Sequence, residues 1–313
     1  MSTLIRAAHL CRYYGSHCAV RDVDFSVARG EVLGFLGPNG AGKTTTMQML
    51  SGNLAPSAGQ ILINGIDLLD QPGAAKGQLG YLPDNPPVYR ELTVQEYLEY
   101  CAALHRIPRQ ARFQAIAKSK RRCALDGVAG RLIGNLSKGF QQRIGIAQAI
   151  LHNPEIIILD EPTVGLDPIQ IREIRALIRE LGSEHGIILS THILPEVQES
   201  CTHVQIIDQG RLVLHETIAG LERHMNTASL SIRTRDPFDF QQLSVLPGIN
   251  SIETITPEHC RVHHDLENNP AEGIAESIIA SGAGLLALVP EKKTMEEIFL
   301  ALTSRYESEK PCA

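Results

Sequence analysis

No apolar run in this 313-residue chain approaches the roughly twenty residues that a membrane-crossing helix needs. The longest, Ile156 to Leu159 and Leu285 to Val289, are strand-sized. The opening residues, MSTLIRAAHLCRYYG, carry a charge inside their apolar stretch and have no apolar core of a secretion signal. Work at a membrane would therefore need a separate spanning partner. Positive charge is also scarce. The formal net charge is -6 and no basic stripe stands out, which argues against a sequence-independent nucleic-acid binder. The seven cysteines, Cys11, Cys18, Cys101, Cys123, Cys201, Cys260 and Cys312, form no CxxC pair that would suggest zinc or a redox dithiol. They read as reduced thiols, which implies a cytosolic protein. No internal repeat is evident.

What is present is the composition of a soluble globular protein, 43% apolar and 20% charged, with length enough for two domains. Short β-rich runs alternate with helix-period runs, the pattern of an α/β domain with a largely parallel sheet. Val32 to Leu36 reads as a buried strand that enters a glycine-rich turn. Thr44 to Leu50 follows as a helix, stopped by Gly52. Asn64-Gly65 and Gln209-Gly210 are hairpin turns. From Thr93 to about Ile150 the chain is nearly all helix, opened by the capping box Thr93-Val94-Gln95-Glu96, the body of a helical insertion over about residues 85–154. The strand Ile156 to Leu159 resumes the sheet. Asp167-Pro168 then caps a helix whose Ile174, Leu177, Ile178 and Leu181 fall on one face.

Past residue 222 the periodicity changes. Strands at Ala228 to Arg233, Ile249 to Ile255, Cys260 to His263 and Leu285 to Val289 alternate with helices at Phe238 to Leu243, Ala271 to Ser281 and Met295 to Thr303. That order predicts a small α+β, ferredoxin-like domain over residues 223–313, with a frayed tail from Ser304. The His263-His264 pair in it reads as solvated.

Gly37-Pro38-Asn39-Gly40-Ala41-Gly42-Lys43-Thr44 fits G-x-x-x-x-G-K-[ST] between a strand and a helix. Its glycines let backbone amides converge on phosphates, and the helix start adds partial positive charge. Lys43 would reach the β and γ phosphates of ATP; Thr44, with Thr45 beside it, would supply an oxygen to Mg²⁺. Downstream, Ile156 to Leu159 ends in Asp160-Glu161. Adjacent carboxylates at a strand end point to opposite sides, so Asp160 can face the metal and Glu161 the attacking water.

On these residues the chain resembles an ABC-family ATPase, a P-loop NTPase with a helical subdomain, across residues 1–222. Leu136-Ser137-Lys138-Gly139-Phe140 is similar to the family's LSGGQ signature, Gly165-Leu166-Asp167 to its D-loop, and Ser190-Thr191-His192 to its switch histidine segment. The resemblance implies that His192 holds the γ-phosphate, water and Glu161 in register. It implies further that Ser137 and Gly139 touch ATP bound to a second subunit, in a homodimer closed head to tail. Tyr14 matches the aromatic residue that stacks on adenine, although Tyr13 is an equally placed alternative. Asp84 stands where the family keeps the Q-loop side chain that senses metal and γ-phosphate; being shorter and charged, it would reach Mg²⁺ through water. Lys138 and Phe140 depart from the signature and imply a differently tuned site.

LSKGF, LPDNPPVY and the C-terminal domain are similar to the group that includes drug-export and gliding-motility ATPases. That likeness implies an exporter subunit on the cytoplasmic face of the membrane, driving an integral permease docked near Asn85 to Glu91. The alternatives are a permease-free ABC ATPase and a regulatory subunit with weak hydrolysis.

Overall fold

The computed structural model describes residues 3–265, 268–292 and 297. The chain divides into two compact units between Ile218 and Ala219. The first opens with a long hairpin, β1 (Thr3–Tyr14) and β2 (His17–Ala28), followed by β3 (Val32–Leu36), α1 (Lys43–Leu50) and the hairpin β4 (Ala58–Ile63) with β5 (Ile66–Asp67). Asn64 and Gly65 turn that hairpin at φ 48° and 77°, the doubly left-handed geometry that Asn-Gly allows at least cost. α2 (Pro72–Lys76) and β6 (Leu79–Leu82) complete this stretch.

The helical region is α3 (Val94–Leu104), α4 (Arg109–Arg122) and α5 (Lys138–Ile150). Thr93 and Glu96 close the capping box reciprocally: the Thr93 hydroxyl accepts from the Glu96 amide at 3.2 Å, and the Thr93 amide donates to the Glu96 carboxylate at 2.8 Å. The chain then runs through β7 (Ile156–Asp160), α6 (Pro168–Gly182), β8 (Gly186–Thr191), α7 (Leu194–Ser200), β9 (His203–Asp208) and β10 (Arg211–Thr217).

A six-stranded sheet in the order β10-β9-β3-β8-β7-β6 is parallel except for its β10 edge. A second, antiparallel sheet, β2-β1-β4-β5, lies in the same unit. Central strands covered on both faces must be apolar at every position, and β7 illustrates why. Ile156 and Ile158 join the cluster containing the antiparallel sheet, whereas Ile157 and Leu159 join the cluster of the helical region. All four are fully buried.

The second unit begins within α8 (Ile218–Met225) and continues through β11 (Asn226–Thr234), β12 (Ile249–Thr256), β13 (His259–His264), α9 (Ala271–Ser281) and β14 (Leu285–Lys292). Its sheet runs β12-β13-β11-β14, all antiparallel, which is the strand order of a ferredoxin-like unit.

Three expectations need correction. Phe238 to Leu243 is not an α-helix; Asp239, itself extended, caps a 3₁₀ segment, Phe240–Val245, by accepting from the Gln241 amide. His264 is buried, its ring within 2.7 Å of the Asp265 carbonyl; only His263 faces solvent. Basic residues do cluster. They do so on α4, whose last turn holds Lys120, Arg121 and Arg122. The predicted helix Met295 to Thr303, the tail and Cys312 lie outside the described residues. The six described cysteines are free, and no helix among the described residues is long and apolar enough to cross a membrane.

Candidate functional site

β3, β7 and β8 end on the same side of the parallel sheet, and the three chemistry-bearing segments leave from those ends. β3 enters the glycine-rich loop. That loop cannot carry side chains at its tight points. Gly42 sits at φ 106°, and a Cβ there would meet the Ala19 carbonyl at 2.6 Å. The loop therefore wraps closely, and Lys43, only 6% exposed, folds back to donate to the carbonyls of Gly37 at 2.8 Å and Pro38 at 3.2 Å.

β7 ends in Asp160, with Glu161 just beyond. Asp160 is fully buried, and both its carboxylate oxygens lack a hydrogen-bond partner. Burial pushes its pKa up, and the charges of Glu161 and Asp84 add to that; the hydroxyls of Ser190 and Thr44 lie near enough to temper it without a well-formed hydrogen bond. A buried carboxylate without a donor is costly unless something polar or cationic joins it. Glu161 turns away at φ 48°, a left-handed conformation that costs a non-glycine residue about 1 kcal/mol. Its amide donates to the Ser190 carbonyl at 2.9 Å and its carbonyl accepts from Val164 at 3.3 Å, so the strained turn is fixed from both sides.

β8 delivers the third element. His192 Nδ1 lies 3.0 Å from each oxygen of the Glu161 carboxylate, and Lys43 Nζ lies 3.7 Å from Oε1 of the same group. Just beyond, the Thr191 hydroxyl donates to the buried Glu196 carboxylate at 2.6 Å and accepts from the Ile193 amide at 3.1 Å. That pair fixes the backbone on either side of His192.

These groups open into one cleft of about 480 Å³. Of the sequence-predicted residues, Tyr14, Asn39, Gly40, Gly42, Lys43, Thr44, Thr45, Asp84, Glu161 and His192 line it. Gly37 and Pro38 contribute carbonyls behind it, Ala41 is buried, and Asp160 lies beneath its floor. Tyr13 does not line it. Tyr14 does, half exposed, with the Arg12 guanidinium 4.9 Å above its ring. Ser137 and Gly139, at the start of α5, stand outside it; Gly139 is backed against the Gln170 side chain and Lys138 lies across Gly165.

His17, Ala19 and Val164 also line the cleft and were not anticipated. The Gly15-Ser16 turn pairs His17 with Tyr14, a proximity that the two-residue turn signal could have revealed. Val164 follows from the turn at Glu161, which no sequence signal marks.

The cleft can bind a polyanion through loop amides, Lys43 and the start of α1, and can hold a water beside Glu161. Comparison with known proteins agrees. The family model for ABC transporters matches residues 20–164. The chain is 41% identical to the bacitracin transport ATP-binding protein BcrA of Bacillus licheniformis over 215 residues, covering 68% of this chain and 69% of that protein. It is 31% identical over 291 residues to the ABC transporter ATP-binding protein YxlF of Bacillus subtilis, covering 93% and 96%. A solved ATP-binding subunit of an ABC transporter superposes with a TM-score of 0.65 at 33% identity, covering 71% of this chain and 93% of that one. The chain therefore belongs to the ABC transporter family, as an ATP-binding and ATP-hydrolysing subunit.

Proposed function

We propose that the cleft hydrolyses Mg-ATP with Glu161 as the general base, and that the chain works as a homodimer driving a drug-exporting permease from the cytoplasmic face of the membrane. The observation that carries the catalytic part is the convergence of Lys43, Glu161 and His192 within hydrogen-bond or ion-pair reach in one cleft floored by Asp160. The amides of Gly37 to Thr45 and the Lys43 ammonium grip the triphosphate. Tyr14 stacks on adenine. Glu161 accepts the proton of the attacking water, and His192 keeps that carboxylate and the γ-phosphate aligned.

A divalent cation fits the donors present. Asp84, Asp160 and Glu161 bring three carboxylates close enough to influence one another, and the Asp160 oxygens have no other partner. Thr44 and Asp160 would hold Mg²⁺, with Asp84 reaching it through water. When bound, the metal neutralises charge on the β and γ phosphates. Oxygen donors without sulfur suit that hard ion.

Ser137 and Gly139 stand apart from the cleft of their own chain, which supports their acting on ATP held by a second copy. The likeness to a protein named for bacitracin transport supports drug export, a permease partner and the absence of a nucleic-acid target. Residues 223–313 would then serve as an accessory domain to the cassette of residues 1–222, whose helical subdomain covers about 85–154.

Glu161→Gln tests the reading. The variant should bind ATP and dimerise while steady-state turnover falls by about 10²- to 10⁴-fold. Undiminished turnover would remove Glu161 from its role.

A further inference from the structure

Seven Lys and Arg, and no Asp or Glu, lie between Leu104 and Cys123 in a chain whose net charge is -6. Most of that stretch is α4, and like charges concentrated on one helix repel unless they are paired or face an opposite charge. Four of the seven are engaged inside the protein. Arg122 pairs with Glu180 at 2.9 Å and Glu184 at 3.1 Å, and Arg112 donates to the Ile107 carbonyl at 2.8 Å. Lys120 reaches Gln95 at 2.7 Å and Lys118 reaches Asn153 at 3.5 Å.

Arg106, Arg109 and Arg121 have no side-chain partner among the described residues. Helical spacing places Arg109 and Arg121 about 40° and about 80° to either side of Phe113. Phe113 is 83% exposed, and Leu104, at the end of α3 on the same helical hairpin, is 62% exposed. An aromatic ring held in water between unpaired guanidinium groups is the makeup of an interfacial helix face.

We propose that this face of α4 binds the anionic headgroups of a phospholipid bilayer, with the Phe113 ring entering the headgroup layer. Charge complementarity requires an anionic partner. The chain is a subunit of a transporter, whose working place includes a lipid surface. Nucleic acid fits less well, because sequence-independent binding draws its affinity from many neutralised phosphates and only three cations are unpaired on this stretch. The surface lies outside the ATP cleft and does not depend on the roles proposed for its residues.

Each cation near an anionic leaflet strengthens binding by roughly fivefold. Sedimentation of the purified full chain with vesicles of phosphatidylcholine alone, and of phosphatidylcholine with phosphatidylglycerol, reads this directly. The protein should bind only the anionic vesicles and be released by salt. The R109Q/R121Q double variant should bind about thirtyfold more weakly and F113S severalfold more weakly, both with unchanged melting and basal ATPase activity. Equal binding to both vesicle types, binding to neither, or undiminished binding by R109Q/R121Q overturns the proposal. So does tight binding of a single-stranded oligonucleotide that R109Q/R121Q abolishes, since the face would then be a nucleic-acid surface.

Discussion

His152 links stability to pH at the seam between α5 and the sheet. Its ring stacks on that of His105 with centroids 3.9 Å apart, and its Nε2 donates to the Leu79 carbonyl of β6 at 3.1 Å. Its Nδ1 is buried without a partner. Burial, with the neighbouring His105, lowers its pKa from 6.5 to about 4. The folded state therefore binds fewer protons than the unfolded state below pH 6.5, and stability present above that value is lost as pH falls toward 4. With 1.36 kcal/mol per pKa unit, the loss from this one group is about 2 kcal/mol at pH 5 and about 3 kcal/mol at pH 4. His152→Gln keeps a donor for Leu79 and cannot titrate. Urea midpoints of the wild type and H152Q, measured from pH 7 to pH 4, should show the wild type falling away from the variant by those amounts. The C2 proton resonance of His152 should stay at its neutral position to about pH 5. Parallel stability curves, or a resonance that titrates near 6.5, would refute the reasoning.

Other outcomes follow from the same contacts. Burial raises the pKa of Glu196, so its favourable contribution exists below its unfolded value near 4.5 and is lost as pH rises through the folded value; Glu196→Gln should raise the urea midpoint at neutral pH and leave it unchanged near pH 4. Ile157→Ala, in the centre of β7 and fully buried, should cost about 2–5 kcal/mol, read as a lower melting temperature. Tyr14→Ala should weaken ATP binding by about fivefold to a hundredfold, the worth of one base stacked on an aromatic ring, whereas Tyr13→Ala should leave titrated ATP affinity near that of the wild type.

Much of this site is legible in the sequence because its local chemistry is stringent. Only glycine can occupy φ 106° at Gly42 with the Ala19 carbonyl so near, and only an apolar strand covered on both faces reads Ile-Ile-Ile-Leu before its acid. Asp167 and Thr93 announce their helices because a cap satisfies amides within its own first turn. What escaped depends on which faces the fold leaves open. The cations of α4 are spread through the sequence among alanines and glutamines within an acidic chain, and they gather only once helical spacing and the pairing of Arg122 and Arg112 decide which remain free. His264 sits beside an exposed histidine, and only the alternation of β13 turns it inward.

The least legible feature is the conformation of Glu161, and it bears on how the proposed chemistry is controlled. Its left-handed turn, fixed by Ser190 and Val164, holds the carboxylate between Lys43 and His192. Both of those groups are the ones a γ-phosphate would recruit. The proposed base is thus held by the groups proposed to help it, and a triphosphate that draws on Lys43 and His192 would compete with the carboxylate for them. Replacing Glu161 with Gln removes the competing charge while keeping the side chain's shape. ATP should then bind severalfold more tightly to E161Q than to the wild type, since the Lys43–Glu161 ion pair, sheltered on both sides, resists withdrawal of the ammonium by about 1 kcal/mol or more. Equilibrium titration with a fluorescent ATP analogue measures the difference. An unchanged or weaker affinity would mean that Lys43 and His192 are free to meet phosphate from the start, and that the contacts around Glu161 serve only to position it.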